Sequence, residues 1–303
     1  MDILITGGTG FVGTQLAHVC LESGHGVIVL GSRHRYKGPV HPNLRYVAAD
    51  TTRPGNWQES IPSVDLIFNL AGRNIFQRWT SRYKQEIRNS RIMTTRNVVD
   101  ALPAGSQKVL ISASAVGYYG SCEDAELNED SPPGNGFLAA LARDWESEAG
   151  KGAAKGARVV IVRFGIVLGR DGGALAKMIP AFRSFVGGPL GNGRQWFPWV
   201  HIQDLLRALQ FLAARSDLEG PFNICAPHPV TNAQMAAALG KALGRPARMS
   251  VPAFMLRMMM GELGDVLLSS QRTFPSRLQE AGFEFDFQQI EAALRDLTGR
   301  LQD

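Results

Sequence analysis

The chain has 303 residues, of which 45% are hydrophobic and 19% charged, and its formal net charge is +5. This is the composition of an ordinary globular chain, and no apolar run reaches the roughly 18 residues needed to span a bilayer. The basic residues are dispersed apart from a cluster within residues 33–37, which argues against a nucleic-acid-binding surface. Three distant cysteines and six histidines without ligand spacing argue against a disulfide framework and a metal site. We expect a cytoplasmic, metal-free protein that binds neither membranes nor nucleic acid.

A glycine-rich turn follows the first predicted strand. The strand covers residues 3–5, and an amphipathic helix is predicted over residues 11–23. Between them the glycines are spaced Gly7-x-x-Gly10-x-x-Gly13, a pattern that allows close backbone approach to a pyrophosphate at a helix N-terminus. A glycine turn without a ligand is the alternative. The context of strand, turn and helix favours a dinucleotide site, which we assign to Gly7, Thr9, Gly10, Phe11, Val12 and Gly13.

Strands and helices alternate through the first half of the chain. Apolar runs predict strands over residues 27–30, 44–48, 64–70, 108–113 and 158–164, with helices over 81–101 and 137–150. Such runs between amphipathic helices are typical of a parallel sheet buried on both faces. We predict an α/β, Rossmann-type doubly wound sheet in residues 1–165 plus about 200–225. A smaller substrate lobe, with a C-terminal helical module, is predicted in residues 166–199 and 226–303.

The end of the second strand indicates the cofactor. An acidic residue here normally accepts the ribose 2′-hydroxyl of NAD, but this strand ends in Gly31, Ser32 and Arg33. A guanidinium suits a 2′-phosphate, so the sequence favours NADP(H); a solvated basic loop is the alternative. Asp50 and Thr51 follow the third strand and are expected beside the adenine. Further contacts from below the nucleotide are expected where the fourth strand ends, at Leu70, Ala71 and Gly72.

At this point the chain resembles an extended short-chain dehydrogenase/reductase, the class of sugar-nucleotide epimerases and dehydratases. Besides the glycine turn, the resemblance rests on residues 69–72 (NLAG), 112–120 (SASAVGYYG), 163–169 (RFGIVLG) and 199–204 (WVHIQD). The chain is most similar to an atypical, epimerase-like group that ends in a short helical module. The resemblance implies the Rossmann fold and a nicotinamide cofactor, and it adds Ser112, Phe164 and Arg91 to the cofactor site.

The sequence departs from this family at the catalytic residues. The family uses Tyr-x-x-x-Lys on the helix after the serine strand, whereas this helix has Phe137 and Leu141 at those positions. The resemblance also places Arg91 where an asparagine is usual. Ser114 and Tyr118 remain as candidate catalytic residues, with Arg91 as the charge that would make a tyrosine more acidic. The alternative for Tyr118 is a structural ring over the cofactor.

A loop rich in glycine and aromatic residues is expected to form one wall of the substrate site, called the substrate wall below. It covers residues 187–201, where Arg194 offers an anion-binding fork, Trp196 a stacking face and His201 a polar contact. In the alternative, the loop is packed, its arginine meets a surface carboxylate, and His201 caps the helix predicted over residues 202–214.

Two classes of function are consistent with the sequence. The first is an NADP(H)-dependent oxidoreductase or epimerase-like enzyme that acts on a carbonyl or alcohol of an unidentified small molecule, nucleotide-linked sugars included. The second is a non-catalytic NADP(H)-binding sensor or interaction protein, which the missing Tyr and Lys favour. The resemblance also implies a homodimer through the helices over residues 81–101 and 137–150.

Overall fold

The computed structural model describes residues 1–34, 36, 38, 40–170 and 172–299. Arg35 and Lys37 of the basic cluster, and the last residues of the predicted substrate lobe, lie outside these ranges. Within them, no helix is long and apolar enough to cross a bilayer.

The elements of the N-terminal part alternate as the sequence predicts. In chain order they are β1 (Asp2–Thr6), α1 (Phe11–Glu22), β2 (Gly26–Gly31), β3 (Leu44–Ala48), β4 (Leu66–Asn69), α2 (Ser81–Asp100), β5 (Val109–Ala115), β6 (Glu126–Leu127), α3 (Phe137–Gly150) and β7 (Arg158–Phe164). The later elements are β8 (Ile166–Gly169), β9 (Gly172–Gly173), α4 (Leu175–Arg183), β10 (Trp196–Phe197), β11 (Trp199–His201), α5 (Ile202–Ala214), β12 (Gly220–Ile224), β13 (Val230–Thr231), α6 (Asn232–Leu243), α7 (Ala253–Met260), α8 (Glu262–Leu267), β14 (Arg272–Thr273), α9 (Ser276–Glu280) and α10 (Ile290–Thr298).

A seven-stranded parallel sheet organises the molecule, which confirms the predicted Rossmann-type fold. Its strand order is β12-β7-β5-β4-β1-β2-β3. The order reverses between β1 and β4, where Ile5 lies beside Val29 on one side and Phe68 on the other. In open α/β sheets a ligand crevice forms at such a switch point, at the carboxyl ends of the strands.

Both faces of the sheet are buried, which explains the uninterrupted apolar runs. Ile5 packs into a core that includes Leu16 of α1 and Leu209 of α5. Its neighbour Leu4 points to the opposite face and packs with Val98 of α2. Successive side chains of a strand alternate between faces, so a strand covered on both sides requires apolar residues at every position.

The C-terminal part has its own apolar core between α4, α6 and α10. Buried members include Phe182, Leu239 and Leu294. Helix α4 lies in a segment rich in glycine and proline, residues 169–198, and it forms although Pro180 inside it is a poor helix former. The α5 and β12 elements return to the sheet, while the division into two domains stays a prediction.

Candidate functional site

A cleft of about 1130 Å³ opens at the carboxyl ends of β1, β4 and β5. It brings together most of the residues that the sequence assigned to a site: Gly7, Thr9, Gly10, Phe11, Val12, Gly13, Ser32, Arg33, Asp50, Thr51, Leu70, Ala71, Gly72, Arg91, Ser114 and Phe164. Within the described ranges, five predicted site residues do not line it: Ser112, Tyr118, Arg194, Trp196 and His201.

The glycine turn has no room for larger residues. Gly7 has a φ of +65°, and a Cβ there would lie 2.8 Å from the Cα of Ala71. A Cβ on Gly13 would lie only 2.4 Å from the carbonyl oxygen of Gly7. Each glycine is therefore required by close backbone approach, which brings β1, the turn and the Leu70–Gly72 segment together.

Helix α1 begins beside the cleft without a capping side chain. Its N-cap is Gly10, and its first turn holds no acidic residue. The first backbone amides of a helix have no partner inside it, and the helix dipole adds a partial positive charge there. This end of the cleft is thus suited to an anionic group such as a pyrophosphate.

The end of β2 forms the far end of the cleft. It carries a positive charge and no carboxylate. Ser32 and Arg33 line it and are exposed. The Tyr46 hydroxyl donates to the carbonyl oxygen of Gly31, at 3.1 Å, and also to that of Arg33, which fixes the backbone of this turn. The Arg33 guanidinium forms no ion pair within the described part of the chain, so it is free for a phosphate.

Asp50 and Thr51 are held in place by neighbours. The Asp50 carboxylate accepts hydrogen bonds from the Thr52 amide (3.1 Å) and hydroxyl (2.6 Å). The hydroxyl groups of Thr51 and Thr94 lie 2.9 Å apart. Both predicted residues line the cleft near Ser32, on the adenine side if a dinucleotide binds as the glycine turn indicates.

A buried polar network lies beneath the cleft and accounts for Ser112. The Asn69 amide nitrogen donates to Thr95 Oγ1 (2.7 Å) and Ser112 Oγ (3.1 Å), and its oxygen accepts from Thr6 Oγ1 (2.8 Å). The Trp145 indole also donates to Thr95 Oγ1, at 2.8 Å. These contacts link β1, β4, β5, α2 and α3, so Ser112 orders the floor of the cleft.

Ser114 lines the cleft and donates a 2.6 Å hydrogen bond to the carboxylate of Glu146. Glu146 in turn accepts two 2.8 Å hydrogen bonds from Arg163. Burial alone would lower the pKa of Arg163, but the hydrogen bonds and charge of Glu146 outweigh it and raise that pKa above its ordinary value. Glu146 and Arg163 are not among the site residues predicted from the sequence; the available signal is Arg163, an arginine near the end of an otherwise apolar strand.

Tyr118 lies against Arg163, whose Cζ atom is 3.6 Å from the centre of the tyrosine ring. Its neighbour Tyr119 is fully buried and donates a 2.8 Å hydrogen bond to Asn223. The pKa of Tyr119 is raised to about 12, chiefly by burial. Of the two tyrosines, neither lines the cleft in the described structure.

The predicted substrate-wall residues lie elsewhere. The Trp196 indole donates to Asp124 (2.9 Å), and Arg272 lies over its ring. His201 is buried and caps α5, because its Nδ1 accepts a 3.1 Å hydrogen bond from the Gln203 amide. Arg194 is exposed and forms no ion pair in the described structure.

Among the described residues, no group of three or more His, Cys, Asp or Glu side chains could hold a metal ion.

The fold and the cleft define a Rossmann-type protein that binds a dinucleotide. Comparison with known proteins identifies the family. Residues 3–225 match the model of the NAD dependent epimerase/dehydratase family, and residues 251–297 match a domain of unknown function, DUF1731. The chain belongs to this family, which confirms the predicted resemblance and the nicotinamide class of its cofactor.

Relatives match along nearly the whole chain. A chloroplastic SDR39U1 homologue of Arabidopsis thaliana is 40% identical over 299 residues, 97% of this chain and 86% of that protein. The epimerase family protein YfhF of Bacillus subtilis is 36% identical over 302 residues, 98% of each. The structure of human epimerase family protein SDR39U1 with NADPH is similar, with a TM-score of 0.86, 34% identity and 99% of each chain covered. The chain is thus an epimerase-like, nucleotide-cofactor-binding protein.

Proposed function

We propose that this protein is an NADP(H)-dependent oxidoreductase or epimerase-like enzyme that acts on the hydroxyl or carbonyl group of a small molecule. Selection of NADP(H) over NAD(H) is supported by Arg33, which has no ion-pair partner among the described residues and lies beside Ser32 at a strand end without a carboxylate. That a human relative was solved with NADPH agrees with this selection.

The residues of the cleft fit a dinucleotide. The close approach of Gly13 to Gly7, and of Gly7 to Ala71, brings the backbone of the turn close together beside the open N-terminus of α1. When bound there, NADP(H) supplies hydride transfer, while the protein orients the reactants and handles the proton.

Ser114 carries the catalytic part of the proposal. Since its hydroxyl hydrogen is directed to Glu146, its oxygen is left to accept a hydrogen bond from a substrate hydroxyl. The proton leaving the substrate oxygen would pass to Ser114 Oγ while the serine proton moves to Glu146. Arg163 is the positioning residue that holds this carboxylate. Leu138 and Leu141 of α3 line the same part of the cleft and limit water there.

A non-catalytic NADP(H)-binding protein is the second candidate. It is favoured by the residues that this chain has at the positions of the family's tyrosine and lysine, Phe137 and Leu141. Leu141 offers the cleft only an apolar side chain, and Phe137 packs edge-on against Trp79 at a ring-centroid distance of 5.2 Å. Tyr118 stays a predicted catalytic residue, and the exposed Arg194 stays a predicted contact of the substrate.

The experiment that separates these candidates measures NADP⁺ reduction and NADPH oxidation by nucleotide-stripped protein against alcohols, carbonyl compounds and nucleotide-linked sugars. For any substrate that is turned over, Ser114→Ala is expected to lower kcat at least a hundredfold without changing the Kd for NADPH. Ser23→Ala, at an exposed serine after α1, serves as the matched control. Full activity of Ser114→Ala would refute the assigned chemistry, and NADPH binding without turnover of any substrate would favour the second candidate.

A further inference from the structure

Ser114 lies among apolar residues of its own strand and of the next strand in the sheet. Its neighbours on β5, Ala113 and Ala115, both line the cleft. In the parallel register of β5 and β7, Ala115 lies beside Phe164, which is half-buried and lines the cleft as well. The serine hydroxyl is therefore the polar side-chain group that these two strands offer to a ligand in the cleft.

Helix α3 covers this part of the cleft with apolar side chains. Leu141 is buried in an apolar cluster, and the half-buried Leu138 packs against that cluster. A Cβ on Gly117 would lie 3.5 Å from the Cβ of Leu138, so the start of α3 lies over the turn that follows β5. Trp145 also lines the cleft, but its indole nitrogen already donates to Thr95. The lining side chains of α3 thus offer a substrate apolar contact and no unused hydrogen-bonding group.

The cations that line the described cleft are remote from Ser114, already paired or assigned to the cofactor. They are Arg33, Arg73 and Arg91. Arg33 lies at the end of β2, three strands away from β5 in the sheet. Arg73 pairs with Glu86 at 3.1 Å, and Arg91 is a predicted contact of the cofactor. A phosphate group on the substrate would need a free cation of this kind.

Arg163 cannot supply that positive charge, because every nitrogen of its guanidinium is engaged. Its Nε and Nη2 atoms donate to Glu146. Its Nη1 atom donates to the Tyr119 hydroxyl (2.9 Å) and to the carbonyl oxygen of Glu129 (3.2 Å). The ion pair beneath Ser114 therefore holds the carboxylate and leaves no donor for a substrate.

The polar side chains that α2 contributes to the cleft make contacts within the protein. The Asn89 side-chain oxygen accepts a 2.6 Å hydrogen bond from Gln85, and the Ser90 hydroxyl donates to the carbonyl oxygen of Ile87 at 2.8 Å. The Thr94 hydroxyl lies 2.9 Å from that of Thr51. These groups belong to a different element from the wall around Ser114, which stays apolar.

We infer that the substrate is an apolar alcohol or carbonyl compound, whose alkyl or aromatic group lies against Leu138, Leu141 and Phe164, and not a nucleotide-linked sugar. The inference rests on the proposed function, because it takes Ser114 as the group that meets the reacting oxygen. The alcohol carbon loses a hydride to NADP⁺, and the hydroxyl loses a proton to Ser114, whose own proton passes to Glu146. A carbonyl compound and NADPH are formed. Sugar hydroxyl groups against the same wall would lose water without gaining hydrogen bonds.

The first measurement compares the two substrate classes with the wild-type protein. NADP⁺ reduction is followed with benzyl alcohol, with cyclohexanol and with UDP-glucose. The kcat/KM of the better apolar alcohol is expected to exceed that of UDP-glucose at least about a hundredfold, because only the apolar compounds match the wall.

The second measurement needs no turnover. NADPH-saturated protein is titrated with benzamide, an apolar carbonyl compound that NADPH does not reduce, and with UDP. Benzamide is expected to bind at least about tenfold more tightly than UDP, and Leu138→Asn is expected to weaken benzamide binding about tenfold. Leu243→Asn is the matched control, because this half-buried leucine ends α6 and does not line the described cleft. Saturation with NADPH also reports that the cleft of each variant is folded.

The inference is overturned if UDP-glucose is oxidised as efficiently as the apolar alcohols, or if benzamide binds no more tightly than UDP. It is also overturned if Leu138→Asn binds benzamide as wild type does. Failure of the proposed function gives a different result: the protein would then prefer benzamide to UDP and respond to Leu138→Asn, but oxidise none of the three alcohols.

Discussion

The carboxylate of Glu146 and the guanidinium of Arg163 form a two-pronged ion pair beneath the cleft, with both hydrogen bonds 2.8 Å long. The side chains are only 10% and 4% exposed, respectively. A buried pair of this kind is costly to break from one side, because the remaining charge is left without compensation. The pair joins α3 to β7, and Ser114 on β5 shares its carboxylate. The stability of the fold and the proposed proton path therefore both depend on the Glu146–Arg163 ion pair.

Replacement of this carboxylate is expected to destabilise the fold strongly. Glu146→Gln leaves the Arg163 charge buried, so we expect a loss of about 3–5 kcal/mol in the free energy of unfolding. Asp144→Asn on the same helix removes an exposed partner of Arg88 and should cost less than about 1 kcal/mol. Urea denaturation of both variants measures the difference. Equal, small losses would show that the buried pair is not a stabilising contact of the fold.

Gly13→Ala is expected to abolish dinucleotide binding. The added Cβ would lie 2.4 Å from the Gly7 carbonyl oxygen, a backbone atom that can move away only if the turn changes shape. Gly150→Ala is the control, because nothing lies within 4 Å of its added Cβ and its φ is −58°. We expect the control to bind NADPH normally and to gain up to about 1 kcal/mol in stability. Normal NADPH affinity of Gly13→Ala would show that the turn is not the binding loop.

Alkaline pH is expected to destabilise the protein through Cys20. Burial raises the pKa of this thiol to about 11, whereas in the unfolded chain it ionises near 9. Its contribution is fully present below pH 9 and is lost as the pH rises to 11, a change of about 2–3 kcal/mol. Stability curves between pH 8 and 11 should therefore fall less steeply for Cys20→Ala than for wild type. An equal slope for Cys20→Ala and wild type would contradict this prediction.

Most of the regular elements could be predicted because local patterns determine them. Helices α3 and α5 have the predicted bounds, and α6 begins where Thr231 and Gln234 form a capping box that is visible in the sequence. The glycine turn was recognisable because its function requires closely spaced glycines after a strand. The cleft-lining residues of the cofactor half follow from that pattern and from the strand ends.

The Ser114–Glu146–Arg163 contact could not be predicted in the same way. It depends on the register between β5 and β7, which sets Ser114 beside Arg163, and on the packing of α3 over both strands. Such contacts arise from tertiary structure and leave no local pattern. The loop around Trp196 shows the converse, because its composition suggested a ligand while its indole is used in a hydrogen bond to Asp124.

We propose that the cleft binds NADP(H) and that Arg33 selects the 2′-phosphate. The most direct test is calorimetric titration of nucleotide-stripped protein with NADPH and NADH, alongside Arg33→Ala and the control Arg45→Ala, an exposed arginine of β3 that does not line the described cleft. We expect wild type and the control to prefer NADPH, and Arg33→Ala to lose about tenfold to a hundredfold in NADPH affinity with no change for NADH. Equal affinity of wild type for both nucleotides would contradict the selection by Arg33, and no binding of either would contradict the assignment of the cleft as a dinucleotide site.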